Sequence, residues 1–154
     1  MIKKTAPLHD VGKIGLLDAI VMKEGAYTAT EWEAMKTHTK IGSKLLADSR
    51  SPLLMMAREI ALTHHERWDG TGYHRLKEVQ TPLPGRIVAL ADAFDVMTHA
   101  RSYKDPLNLA EARAEIERHA GTQFDPDLSA LFLRLIDREG ESLLADSTAV
   151  QLFA

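Results

Sequence analysis

A histidine beside an aspartate at His9-Asp10, a single His38 and an adjacent pair at His64-His65 are the residues of this sequence best suited to chemistry. Asp92 joins them, because it interrupts an otherwise apolar helical stretch where a carboxylate is costly unless paired or bound to a cation. There are seven histidines and no cysteine, so disulfides and zinc–thiolate sites are excluded and any metal must rest on His, Asp or Glu. Imidazole and carboxylate donors without sulfur suit iron, manganese, nickel or zinc. A carboxylate has two oxygens, so the Asp of a His-Asp pair can bridge two cations while the imidazole holds one. Taken singly, a helical histidine is most often a surface or satisfied core residue, and His99 and His119, which stand in no motif, are read that way.

Helices must bring these side chains together, and the periodicity is helical along the whole chain. Thr30 and Glu33 read as a capping box opening a helix with Trp32, Met35 and His38. Residues 40–47 place Ile41, Leu45 and Leu46 on one face. Pro52 suits the first turn of a helix with Leu54, Ala57, Ile60 and Ala61 as its apolar side, running toward His64-His65. Residues 66–84 hold Gly70, Gly72, Pro82 and Pro84 and read as a loop. Helical spacing returns over residues 85–98 through Ile87, Ala91, Phe94 and Thr98, then over residues 109–119. Asp125-Pro126 caps a helix through Leu128, Leu131, Phe132 and Leu135. The residues after Gly140 are weakly patterned, and no strand is expected, so the class is all-α. Donors projecting inward from several helices are how such folds build metal sites.

The bulk numbers bound the partners. A chain of 154 residues suffices for one domain with a real core. A net charge of −3 argues against a broad basic surface for DNA or RNA, though a local basic pocket for a small phosphate fits. No apolar run reaches the roughly 18–20 residues a membrane span needs. Met1-Ile2-Lys3-Lys4 is not followed by the apolar stretch of a signal peptide, and a cytoplasmic location is expected.

Four segments in order carry a family resemblance. His9-Asp10-Val11-Gly12-Lys13-Ile14-Gly15 resembles the HD signature of the HD phosphohydrolase superfamily. His64-His65-Glu66-Arg67-Trp68-Asp69-Gly70-Thr71-Gly72-Tyr73 resembles the second signature of its HD-GYP subgroup, HHExxDGxGYP. The likeness continues through Pro84-Gly85-Arg86-Ile87-Val88-Ala89-Leu90-Ala91-Asp92-Ala93-Phe94-Asp95 and Gly121-Thr122-Gln123-Phe124-Asp125-Pro126, and covers about residues 6–136. It implies an HD-GYP domain over residues 1–138 with a tail over 139–154. It further implies hydrolysis of the cyclic dinucleotide c-di-GMP to pGpG, in some members continuing to GMP, on two or three divalent cations, iron or manganese first. On matching positions His9, Asp10, His38, His64, His65 and Asp92 would be ligands, with Asp10 bridging. Lys13 would sit beside the reactive water or the scissile phosphate. Arg101 and Lys104 would hold substrate phosphates, and Gly72 and Tyr73 would lie beside the substrate, with Tyr73 either touching it or anchoring its loop on the core. Two cations would acidify a water and neutralise phosphoryl charge, and the cationic side chains would stabilise the transition state.

Two departures from the pattern bear on that expectation. The loop reads Gly72-Tyr73-His74 where the resemblance calls for Gly-Tyr-Pro. Proline fixes φ and lacks an N–H, so a looser loop with a solvent-facing His74 is expected. The leading helices, which would bring a Glu and a His to the cluster, have no counterpart in residues 1–8. The expected architecture is thus an HD-domain-like helical bundle lacking its leading helices, with apolar surface left bare that favours a homodimer. The alternative to an active enzyme is an impaired module that binds c-di-GMP, or a diguanylate cyclase (GGDEF) partner through the Gly72–His74 loop.

Overall fold

A computed structural model describes residues 1–100 and 105–146. Among these there is no strand. The helices, in chain order, are α1 (Ile2–Thr5), α2 (Asp18–Val21), α3 (Ala29–Lys36), α4 (His38–Leu45), α5 (Pro52–Thr63), α6 (Leu83–Thr98), α7 (Leu109–His119), α8 (Pro126–Glu139) and α9 (Ser142–Asp146). Short 3-10 turns fall at Ala6–Leu8, Val11–Gly15 and Glu78–Gln80.

Local chemistry accounts for several boundaries. Pro52 and Pro126 occupy first turns, where the missing N–H is no loss. The Asp125 carboxylate accepts the N–H groups of Asp127 and Leu128. Asn108 and Glu111 form a capping box at the start of α7. The capping box of α3 is not Thr30 with Glu33 as expected. Thr28 is the cap, its backbone N–H donating to Glu31 Oε2 at 2.7 Å and its hydroxyl accepting from Glu31 N. The Thr-x-x-Glu pattern occurs twice in overlapping registers, and Lys23, paired with Glu31 Oε2 at 2.5 Å, engages the earlier one.

Helix α5 is the axis of the N-terminal half, packed against α1, α4 and α6. Its Ala57, Ile60 and Ala61 are fully buried, as its periodicity indicates. The eight residues before His9 pack as well: α1 and the turn after it lie on α5, and Thr5 is fully buried. Helix α4 departs from expectation. It begins at His38 rather than near Lys40, and its buried face carries His38, Thr39, Gly42 and Ser43, while Leu45 is 58% exposed. The apolar pattern misleads here because this face meets polar groups and a backbone. The 3-10 turn at Val11–Gly15 crosses α4 so closely that a Cβ on Gly12 would lie 1.9 Å from His38 O and 2.4 Å from Gly42 N. Only glycine permits that crossing, which brings Asp10 and Lys13 over His38.

The C-terminal half is a conventional apolar core. Leu90 of α6 packs with Ile116 of α7 and Phe124, and Phe94 with Ala112 and Ile136; Phe132 and Met97 contact both groups. The loop over residues 66–84 is tied to this half. Trp68 N–H and Asp69 N–H donate to Gln123 O and Thr122 O. Arg86 lies over the Trp68 ring, donates to Thr81 O, and pairs with Asp125 at 2.5 Å. No described helix is long and apolar enough to cross a membrane.

Candidate metal centre

The side chains expected to meet do meet, and Asp10 is their hub. Its Oδ1 lies 3.3 Å from His38 Nε2 and 3.6 Å from His64 Nε2. Its Oδ2 lies 3.3 Å from His9 Nε2 and 2.5 Å from Lys13 Nζ. Across from it, Asp92 Oδ1 is 3.8 Å from His9 Nε2. Asp10, His38, His64 and His65 each present one ligand atom within 4.8 Å of the others, and no further residue among those described joins that set. His9 stands on the opposite oxygen of Asp10, with Asp92 beyond it. The carboxylate thus meets imidazoles on both oxygens.

The positions follow from the chain. Asp10 opens the turn that Gly12 lets dock on α4; His38 begins α4; His64 and His65 follow α5; Asp92 projects from the middle of α6. His38 and His64 are almost fully enclosed, while His9, Asp10 and Asp92 are partly open to solvent. An approach from one side is therefore left.

Hydrogen bonds fix how the rings are protonated. His9 Nδ1 lies 2.8 Å from Ala6 O, His38 Nδ1 2.6 Å from Met35 O, and His64 Nδ1 3.1 Å from Ile60 O. A carbonyl can only accept, so each Nδ1 carries a proton, and the neutral form of each ring turns an Nε2 lone pair inward. His38 Nε2 and His64 Nε2 are 3.4 Å apart. Asp10 Oδ1, buried between them, has no hydrogen-bond partner among the described residues. Lone pairs facing lone pairs and an orphaned carboxylate oxygen fit a bound cation, with backbone carbonyls orienting the ligands from behind.

Burial and neighbouring charge act differently on the rings of the cluster. Burial, reinforced by His64 and His38, pushes His65 down to about 2, so this ring is neutral. Burial also acts against protonation of His9, yet Asp10 and Asp92 raise it above its ordinary value.

Tyr73 roofs the cluster. Its ring centroid is 4.6 Å from that of His65 and 6.4 Å from that of His38, and it meets Trp32 edge-on at 5.9 Å. Burial and the Asp10 charge raise its phenol to about 12, so it stays protonated. Gly72 lets the loop fold back: a Cβ there would fall 2.6 Å from Glu66 Cα and 2.7 Å from Arg67 N. His74 does not face solvent as expected. Its Nε2 lies 3.0 Å from Thr39 Oγ1, beside His38, and its backbone N–H donates to Glu66. The loop is accordingly fastened rather than loose. Arg101 and Lys104 lie outside the described residues. His99 contacts Asp95, and His119 lies 3.6 Å from Glu115, both away from the cluster.

Sequence reasoning gave no role to Glu66 or Thr39. Both are buried polar residues contacting the Tyr73 loop. Glu66 follows the histidine pair directly as the fixed Glu of the HHExxDGxGYP signature, and that was its sequence signal.

An all-helical bundle that gathers histidines and aspartates around a His-Asp pair defines the class of the metal-dependent HD hydrolase fold. The model of the HD domain family matches residues 2–128, and the chain belongs to this family, in its HD-GYP type. It is 53% identical over 135 residues to a cyclic di-GMP phosphodiesterase of Thermotoga maritima, covering 87% of this chain and 37% of that protein. It is 46% identical over 134 residues to 3'3'-cGAMP-specific phosphodiesterase 2 of Vibrio cholerae, covering 86% and 26%. It is 42% identical over 135 residues to the cyclic di-GMP phosphodiesterase response regulator RpfG of Xanthomonas campestris, covering 87% and 36%. The chain therefore spans little more than a third, at most, of these relatives.

Proposed function

We propose that this chain is the catalytic domain of a phosphodiesterase that hydrolyses cyclic di-GMP to pGpG and on to GMP. One observation carries the reading: the Nε2 lone pairs of His38 and His64 converge on the orphaned Asp10 Oδ1. Relatives whose names specify cyclic dinucleotides support the substrate.

In this reading Asp10 Oδ1, His38, His64 and His65 hold one divalent cation, while Asp10 Oδ2, His9 and Asp92 contribute to a second. Iron or manganese is the first choice for this donor set, and nickel or zinc also suits it. Bound, the cations supply an acidified water and offset the charge of the phosphodiester. Lys13 orients Asp10 through its 2.5 Å contact, and its ammonium is placed to stabilise charge developing on the phosphoryl group. Tyr73 and Gly72 form the substrate edge, with Arg101 and Lys104 assigned to its phosphates. The domain is taken as residues 1–138, in a cytoplasmic protein. A diguanylate cyclase partner at the Gly72–His74 loop and a homodimer burying the exposed Ile14, Leu17 and Met22 are further proposals of the same reading.

The test is turnover of cyclic di-GMP, with 3'3'-cGAMP alongside, after reconstitution with manganese or iron. Hydrolysis of cyclic di-GMP should be abolished in Asp10→Ala. Turnover that survives this change, or activity confined to nucleoside monophosphates, refutes the assignment.

A further inference from the structure

We infer that Glu66 and His74 are positioning residues that strap the Tyr73 loop across the histidine cluster and thereby set how tightly substrate is held. Its functional consequence rests on the phosphodiesterase reading; the strap itself does not.

Glu66 is only 5% exposed, and both its oxygens are used by the loop. Oε1 accepts the His74 N–H at 2.6 Å, and Oε2 accepts the Leu76 N–H at 2.8 Å. Hydrogen bonds to an ionised acceptor are the strong kind, and burial strengthens them. Between them Arg75 adopts φ 59°, a left-handed conformation that a non-glycine residue keeps only when its surroundings impose it. A second fastening comes from the other side, where His74 Nε2 reaches Thr39 Oγ1 on α4 at 3.0 Å. Thr39 is buried and adjoins His38, so the loop is pinned to the helix that carries a cluster histidine.

Tyr73 lies immediately before His74, at the fixed end of this strap. Its ring is held against His65 at 4.6 Å. A proline at position 74 has no N–H to give Glu66 and no imidazole nitrogen to reach Thr39. The histidine therefore adds two fastenings. The side-chain hydrogen bonds of Glu66 among the described residues go to loop amides.

The experiment uses the full chain loaded with manganese and compares Glu66→Gln, His74→Ala and Tyr73→Ala. The glutamine amide turns an NH2 toward a backbone N–H that it cannot accept. Glu66→Gln should raise KM for cyclic di-GMP about tenfold and His74→Ala about threefold, each with a smaller change in kcat. Because Glu66 acts through Tyr73, its effect should largely vanish in the Tyr73→Ala background. Amide hydrogen exchange at residues 72–76, measured without substrate, should quicken in both Glu66→Gln and His74→Ala. Unchanged exchange, or additive effects of Glu66→Gln and Tyr73→Ala, would overturn the strap. Wild-type chain inert toward cyclic di-GMP but showing the exchange response would instead refute the phosphodiesterase reading alone.

Discussion

The two halves of this molecule bury different things. Between α6, α7 and α8 the interior is Leu90, Phe94, Ala112, Ile116, Phe124 and Ile136, with Phe94 and Phe132 meeting edge to face at 5.0 Å. Around α4 and the end of α5, Ile60 and Ala61 share the interior with six buried polar residues, His38, Thr39, Ser43, Thr63, His64 and Glu66. The first interior excludes water and is held by burial of apolar area. The second cannot be, because polar groups removed from water stabilise a fold only when each finds a partner. Most do, through backbone carbonyls and loop amides, but Asp10 Oδ1 does not. That difference separates the scaffold from the candidate site: one half is mostly apolar inside, and the other also encloses a polar cluster.

The largest expected effect strikes the apolar half. Ile116→Ala removes a fully buried side chain from α7 and should destabilise the chain by about 2–5 kcal/mol in urea unfolding. The loss should be the same with and without manganese. A loss that depends on the cation would mean that the halves are not energetically distinct.

A smaller and more local effect is expected from chelation. Removing cations held at ~100 times their dissociation constant withdraws about 2.7 kcal/mol from whatever they stabilise. Hydrogen exchange should rise over α4 and the last turns of α5, and stay unchanged over α7 and α8. A uniform rise across the chain would erase the contrast.

Much of this was legible before the structure. The starts of α5, α7 and α8 are written in Pro52, the helical spacing from Leu109 and the Asp125-Pro126 pair, because capping and first-turn chemistry are local. The cluster residues were legible from their types and motifs. Three features were not. The buried face of α4 is polar and small, and apolar periodicity cannot report a face whose neighbours are a cluster of His and Asp side chains and a backbone. The overlapping Thr-x-x-Glu registers at Thr28 and Thr30 are equivalent locally, and only Lys23, placed by the tertiary fold, distinguishes them. His74 looked like a loosened loop residue because its two fastenings, Glu66 and Thr39, lie 8 and 35 positions away.

The most direct test is metal content. The chain stripped of cations, reloaded with manganese or iron, desalted and measured by mass spectrometry of the elements, should retain at least two ions, and Asp10→Ala should retain fewer than one. Retention of no ion by the wild type, or equal retention by the variant, would contradict a shared cation cluster built on Asp10.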